Sequence, residues 1–207
     1  MIVYHYTSSR NWGDIKSANN LKKFAGLRRK GRLGQDYLPA WEFGAIFALS
    51  EARPESWVHN PDFPRTWDYL MTDCGSLLLE VEVDDQAETS LVVDRAHMEG
   101  FLYLQEGMEV PERYRHTDPI EAEKAYLESK VPLRDWLVYK DALDYSLPEI
   151  LLTELVPLDR IRIPVTQEEL ELDLAEIVPI GRAKELERLS QIPELQPWYQ
   201  GYLERRI

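Results

Sequence analysis

The chain has 207 residues, 44% of them hydrophobic and 29% charged, the balance of a folded domain and not of a disordered one. Its formal net charge of −13 repels phosphate backbones and so disfavours broad nucleic-acid binding. No apolar run is long enough for a membrane span and no basic leader precedes an apolar stretch. The single Cys74 allows no internal disulfide, so a cytoplasmic setting is expected.

Ile2 to Tyr6 carries the β-branched and aromatic content of a strand, with His5 at its centre and Thr7 directly after it. A histidine there suits a strand whose end forms the floor of a pocket. Ser8 or Ser9 is placed to cap a helix over 11–18, with Trp12, Ile15 and Ala18 on its buried face and Asn19-Asn20 at its end. The segment 22–34 reads as a basic loop. Its cations Lys22, Lys23, Arg28, Arg29, Lys30 and Arg32 suit either a solvated loop or a clamp for a phosphate or pyrophosphate.

Residues 43–50 form a short apolar run that reads as a buried strand. Pro54 and Pro64 suit the first positions of short helices. Residues 76–83 alternate Leu77, Leu79, Val81 and Val83 against Leu78, Glu80 and Glu82, the pattern of a half-buried strand. Another strand is expected over 91–94, leading into an aromatic-rich helix or turn up to Tyr103. Asp118-Pro119-Ile120-Glu121 has the form of a helix start, with a break near Pro132 and a second helical segment over 133–143. Strands follow at 149–153 and 160–163, then a charged tail with helical runs at 167–177 and 182–191. The expected architecture is one α+β domain, its core spanning residues 1–165 and its helical C-terminal element residues 166–207.

Few patterns point to chemistry. His5, His59, His97 and His116 lack metal-ligand spacing, so no metal is expected. No glycine-rich phosphate cradle is present, and Cys74 before Gly75 reads as a small buried hydrophobe. Glu149 and Glu154 flank one apolar strand, where a carboxylate acts as a base, stabilises a cation or merely ends the strand at the surface. Asp94, Arg95 and His97 either line a cleft or form a salt-bridged turn.

The order Tyr4-His5-Tyr6-Thr7, then Gly44-Ala-Ile-Phe-Ala-Leu-Ser50, then Pro148-Glu-Ile-Leu-Leu-Thr-Glu154 with Pro157-Leu-Asp-Arg-Ile161, resembles the ADP-ribosyltransferase superfamily. It is nearest in flavour to the DNA-modifying toxins and the tRNA 2′-phosphotransferases. The resemblance implies a split mixed β-sheet core with peripheral helices, and NAD as substrate, with ADP-ribose transferred to an acceptor. By the same resemblance Glu149 is the catalytic carboxylate that stabilises the cationic ribose, and His5 holds the ribose. Tyr6, Thr7, Phe47, Ser50 and Arg53 would complete the NAD site. The charge turns the expected acceptor from nucleic acid toward a protein or small molecule, and a toxin or effector role fits. Two alternatives stay open: a non-catalytic nucleotide- or protein-binding module that keeps the fold, and transfer of an RNA 2′-phosphate. The segment 83–145 matches no motif of the superfamily.

Overall fold

The computed structural model describes residues 1–21, 45–75, 77–164, 191–193 and 196. The basic segment 22–32 and the expected tail helices at 167–177 and 182–191, save Gln191, lie outside the described residues. Strand β1 (Ile2–Thr7) is followed by helix α1 (Ser9–Ala18), which starts where the Ser8 hydroxyl accepts a hydrogen bond from the Asn11 N–H. Asn19 ends it in the left-handed conformation, its N–H bonded to the carbonyls of Ile15 and Lys16. Trp12 and Ile15 are buried as their spacing predicts.

After β2 (Asn20–Leu21), strand β3 is Ile46–Ala48, within the expected run. Pro54 stands at the N-cap position of the short helix α2 (Glu55–Val58), one residue ahead of its first position and with no side-chain cap bond. Pro64 stands outside α3 (Thr66–Cys74), which begins two residues later than the proline suggests. Strand β4 is Leu77–Glu82, β5 is Ser90–Asp94 and α4 is Ala96–Gln105. A 3₁₀ turn over Glu112–Tyr114 precedes α5 (Pro119–Glu128), where the Asp118 carboxylate caps the Ile120 N–H and Pro119 occupies the first turn. Ile120 itself is 71% exposed, so it does not belong to the buried face of that helix. Two-residue strand β6 (Val131–Pro132) leads into α6 (Leu133–Leu143). Strands β7 (Pro148–Leu152), β8 (Val156–Pro157) and β9 (Ile161–Arg162) complete the α+β architecture.

One sheet runs β1-β4-β9, a second β3-β7-β5-β6, and β2 pairs with β8. Every ladder among the described residues is antiparallel, which corrects the mixed sheet expected from the resemblance. The two larger sheets meet at a bridge between Tyr4 and Leu49, whose N–H groups and carbonyls exchange bonds of 2.9 and 2.7 Å.

Alternating side chains divide the core by face. Val3, Leu79, Val81, Val92, Ile150 and Leu152 face one way, with Trp12 of α1 and Trp136 of α6 packed over them. On the other face Tyr6 and Leu78 pack with Trp57, Phe63, Trp67 and Tyr103, while Val93 and Leu151 pack with Phe101, Ala122 and Tyr126. Leu78 is therefore buried although its alternation with Glu80 reads as the outer face, because α2 and α3 cover it.

The turn from α3 to β4 depends on Gly75, whose φ is +100°. A Cβ there would stand 2.7 Å from the Thr7 carbonyl oxygen and 2.9 Å from the Ser8 Cα, backbone atoms that cannot swing aside. Gly75→Ala is expected to cost about 1–3 kcal/mol through strain, read as a lower urea midpoint with an unchanged slope.

Candidate functional site

Strand β7 begins at Pro148, whose carbonyl accepts the Trp57 indole N–H at 3.0 Å. Ladder register sets Glu149 opposite Val93, so its side chain projects toward α4 and α5. It is 4% exposed. The Tyr126 hydroxyl donates to Glu149 Oε2 at 2.7 Å, and Arg95 reaches Oε1 at 3.7 Å. Arg95 Nε also donates to Glu99 Oε1 at 3.1 Å, one helical turn along. Two buried carboxylates thus share one guanidinium, and Glu99 Oε2 has no hydrogen-bond partner among the described residues.

Burial pushes the Glu149 carboxyl above its ordinary range, opposed but not cancelled by Arg95 and Tyr126, with Glu99 adding to the rise. Burial pulls the other way on Arg95, yet Glu149 and Glu99 outweigh it and keep the guanidinium charged. Tyr126 is raised by burial and by the neighbouring Glu149 charge. The group is held together by interactions inside the protein, as a buried ion pair must be.

Beside it, Asp94 closes β5 and is 3% exposed. Its Oδ1 accepts the N–H groups of Ala96 at 3.1 Å and Leu147 at 3.0 Å. Its Oδ2 accepts the Tyr114 hydroxyl at 2.7 Å and the Ser146 N–H at 3.2 Å. Asn60 holds the same turn through the Ser146 carbonyl at 3.1 Å. The segment entering β7 is thereby fixed from two sides, which sets where Glu149 begins. Of the two readings of Asp94-Arg95-His97, Asp94 and Arg95 match the bonded turn. His97 instead meets His116, Nδ1 to Nε2, at 3.0 Å.

The remaining predicted residues gather around β1. His5 is half-buried, and its Nδ1 lies 2.7 Å from the Phe47 carbonyl. Desolvation lowers its pKa against the opposing pull of that carbonyl, so the ring is neutral at pH 7. Buried Thr7 accepts the Asn11 amide at 3.2 Å. Tyr6 donates to the Ala52 carbonyl at 2.6 Å and meets Trp67 edge-on, and Arg53 lies 5.9 Å over the Trp67 ring. Ser50 is half-buried just past Leu49, and Glu154 is exposed.

His5 and Glu149 do not converge. His5 pairs with Leu79 across β1 and β4, and Leu79 belongs to the face covered by α1 and α6. Glu149 pairs with Val93, which belongs to the face covered by α4 and α5. Side-chain alternation therefore directs His5 and Glu149 to opposite faces of the sheets. Glu99, Tyr114 and Tyr126 escape a reading of the sequence. Arg95 and Glu99 at the i, i+4 spacing were the one signal available, whereas the tyrosines reach the cluster only through tertiary packing.

No group of three or more histidine, cysteine or carboxylate side chains able to hold a metal occurs among the described residues. Nor is any helix among them long and apolar enough to cross a membrane. No family model matches the chain, and comparison with curated proteins and with solved structures finds no match.

Proposed function

We propose that this chain is a binding module on an α+β scaffold, in which Glu149 serves the fold instead of cleaving a nicotinamide–ribose bond. The observation that supports this reading is orientation. His5 and Glu149, on which cleavage would depend, point to opposite faces, and both Glu149 oxygens are engaged by Tyr126 and Arg95. A carboxylate that stabilises a ribosyl cation has to face the reacting carbon from a pre-set position. The net charge of −13 and the exposed Leu137, Val138 and Tyr139 of α6 favour a protein partner over a nucleic acid.

ADP-ribosyl transfer from NAD is the second reading, and one observation favours it. His5 is a neutral imidazole anchored on Phe47 beside the bridge where the two sheets meet, a place where a ribose hydroxyl could be held. Transfer of an RNA 2′-phosphate depends on the basic segment 22–32, outside the described residues.

Nicotinamide release from NAD separates the readings when followed beside NAD binding by calorimetry, with a Glu149→Gln variant in parallel. A binding module of the proposed kind releases no nicotinamide above buffer, with or without Glu149. Release that drops on the order of a hundredfold in the variant would overturn the proposal and establish the transferase.

A further inference from the structure

His97 and His116 meet ring to ring, apart from both Glu149 and His5. With Nδ1 and Nε2 only 3.0 Å apart, one ring has to donate and the other accept, so at least one imidazole must be neutral. His97 stands in the first turn of α4, and its ring meets Tyr114 edge-on at 5.0 Å. His116 follows the 3₁₀ turn that carries Tyr114, the same tyrosine whose hydroxyl donates to Asp94. Asp94 in turn holds the N–H groups of Ser146 and Leu147 ahead of β7.

We propose that the His97–His116 contact is an acid-sensitive latch that holds residues 112–116 on α4 and, through Tyr114 and Asp94, fixes the Ser146–Leu147 turn that leads into Glu149. Doubly protonated rings lose the shared hydrogen bond and place two cations side by side, with the Arg113 guanidinium close over the Tyr114 ring at 4.6 Å. The groups acting on the pair come from three directions. Asp94 at the end of β5 favours charge on His97, Arg113 and His116 oppose it, and Glu121 of α5 favours charge on His116. Burial dominates, and both rings lie below the ordinary histidine value of 6.5.

A histidine held low binds its proton more readily when the contact is open. The closed latch is therefore intact above about pH 6.5 and weakens as pH falls through the lowered values. Below them, opening relieves the repulsion and frees Tyr114 from its seat.

The experiment compares protection of the Ser146 and Leu147 amides at pH 7.5 and pH 5.0 by hydrogen exchange, corrected for the intrinsic rate, with side-chain NMR titration of both rings. The comparison protein is His97→Asn with His116→Gln, which keeps a donor and an acceptor near the two nitrogens but takes up no proton. Wild-type protection at the two amides is expected to fall about tenfold or more on acidification, together with the ring titration, and to stay within about twofold in the double variant. Wild-type protection that holds at pH 5.0, or an equal fall in both proteins, would overturn the latch. If the double variant does not fold, the wild type decides alone: rings that titrate without any change at Ser146 and Leu147 sink the proposal, and rings and amides that move together support it.

Discussion

Replacing Arg95 with leucine is expected to destabilise the protein by about 3–5 kcal/mol, because it leaves Glu99 and Glu149 buried with no compensating cation. In a chain of this size that loss lowers the melting temperature by on the order of 10 °C. Glu149→Gln should be far milder. The amide keeps an oxygen for the Tyr126 hydroxyl at the site of the present 2.7 Å bond, and Arg95 retains Glu99 at 3.1 Å.

The pH dependence of the two proteins adds a sign. Glu149 has a raised carboxyl in the fold and an ordinary one when unfolded, so folding takes up a proton between those values. Its contribution is fully present below the ordinary carboxylate range and is lost as pH rises through the raised value. The Gln variant lacks that loss, so its stability relative to wild type should improve as pH climbs through that window. Urea unfolding at several pH values measures this. A Gln variant with wild-type pH dependence would remove Glu149 from the account, and an Arg95→Leu protein as stable as wild type would mean that the ion pair contributes nothing.

Asp94→Ala is expected to have the second large effect. It strips acceptors from three backbone N–H groups and from the Tyr114 hydroxyl at once. A buried donor left without a partner costs about 1–3 kcal/mol, so the variant should lose more than about 4 kcal/mol, in the exceptional range for a single change. Asp94→Asn keeps one oxygen and turns an amide against two donors, and should fall between the two. Folded Asp94→Ala protein with wild-type stability would contradict the assignment of Asp94 as the centre that joins β5, the Tyr114 turn and the entry to β7.

The proposals are linked through these residues. Asp94 fixes the turn, the turn sets the start of β7, and β7 sets Glu149 against Arg95 and Tyr126. A change that melts the His97–His116 contact acts at the far end of that chain, and its effect is read first at the Ser146 and Leu147 amides.

Short-range chemistry was legible in the sequence. Ser8 and Asp118 cap helices because a side-chain oxygen needs only to reach an N–H two or three residues away. Asn19 ends α1 because its backbone tolerates the left-handed conformation. The alternation from Leu77 to Glu82 marks a strand for an equally local reason. What neighbours along the chain could not decide is which elements cover which face. Leu78 lies in the core because α2 and α3 lie over it, and Ile120 lies outside because α5 turns another side inward. The meaning of Glu149 is the sharpest case. Its place at the head of an apolar strand was visible in the residues around it. Its direction follows from the register with Val93, and its partners come from elsewhere in the chain, Arg95 from the N-cap of α4 and Tyr126 from α5. A shift of one residue in that register would have turned Glu149 to the face of His5. Long-range strand pairing, and no pattern within the strand, decided the difference.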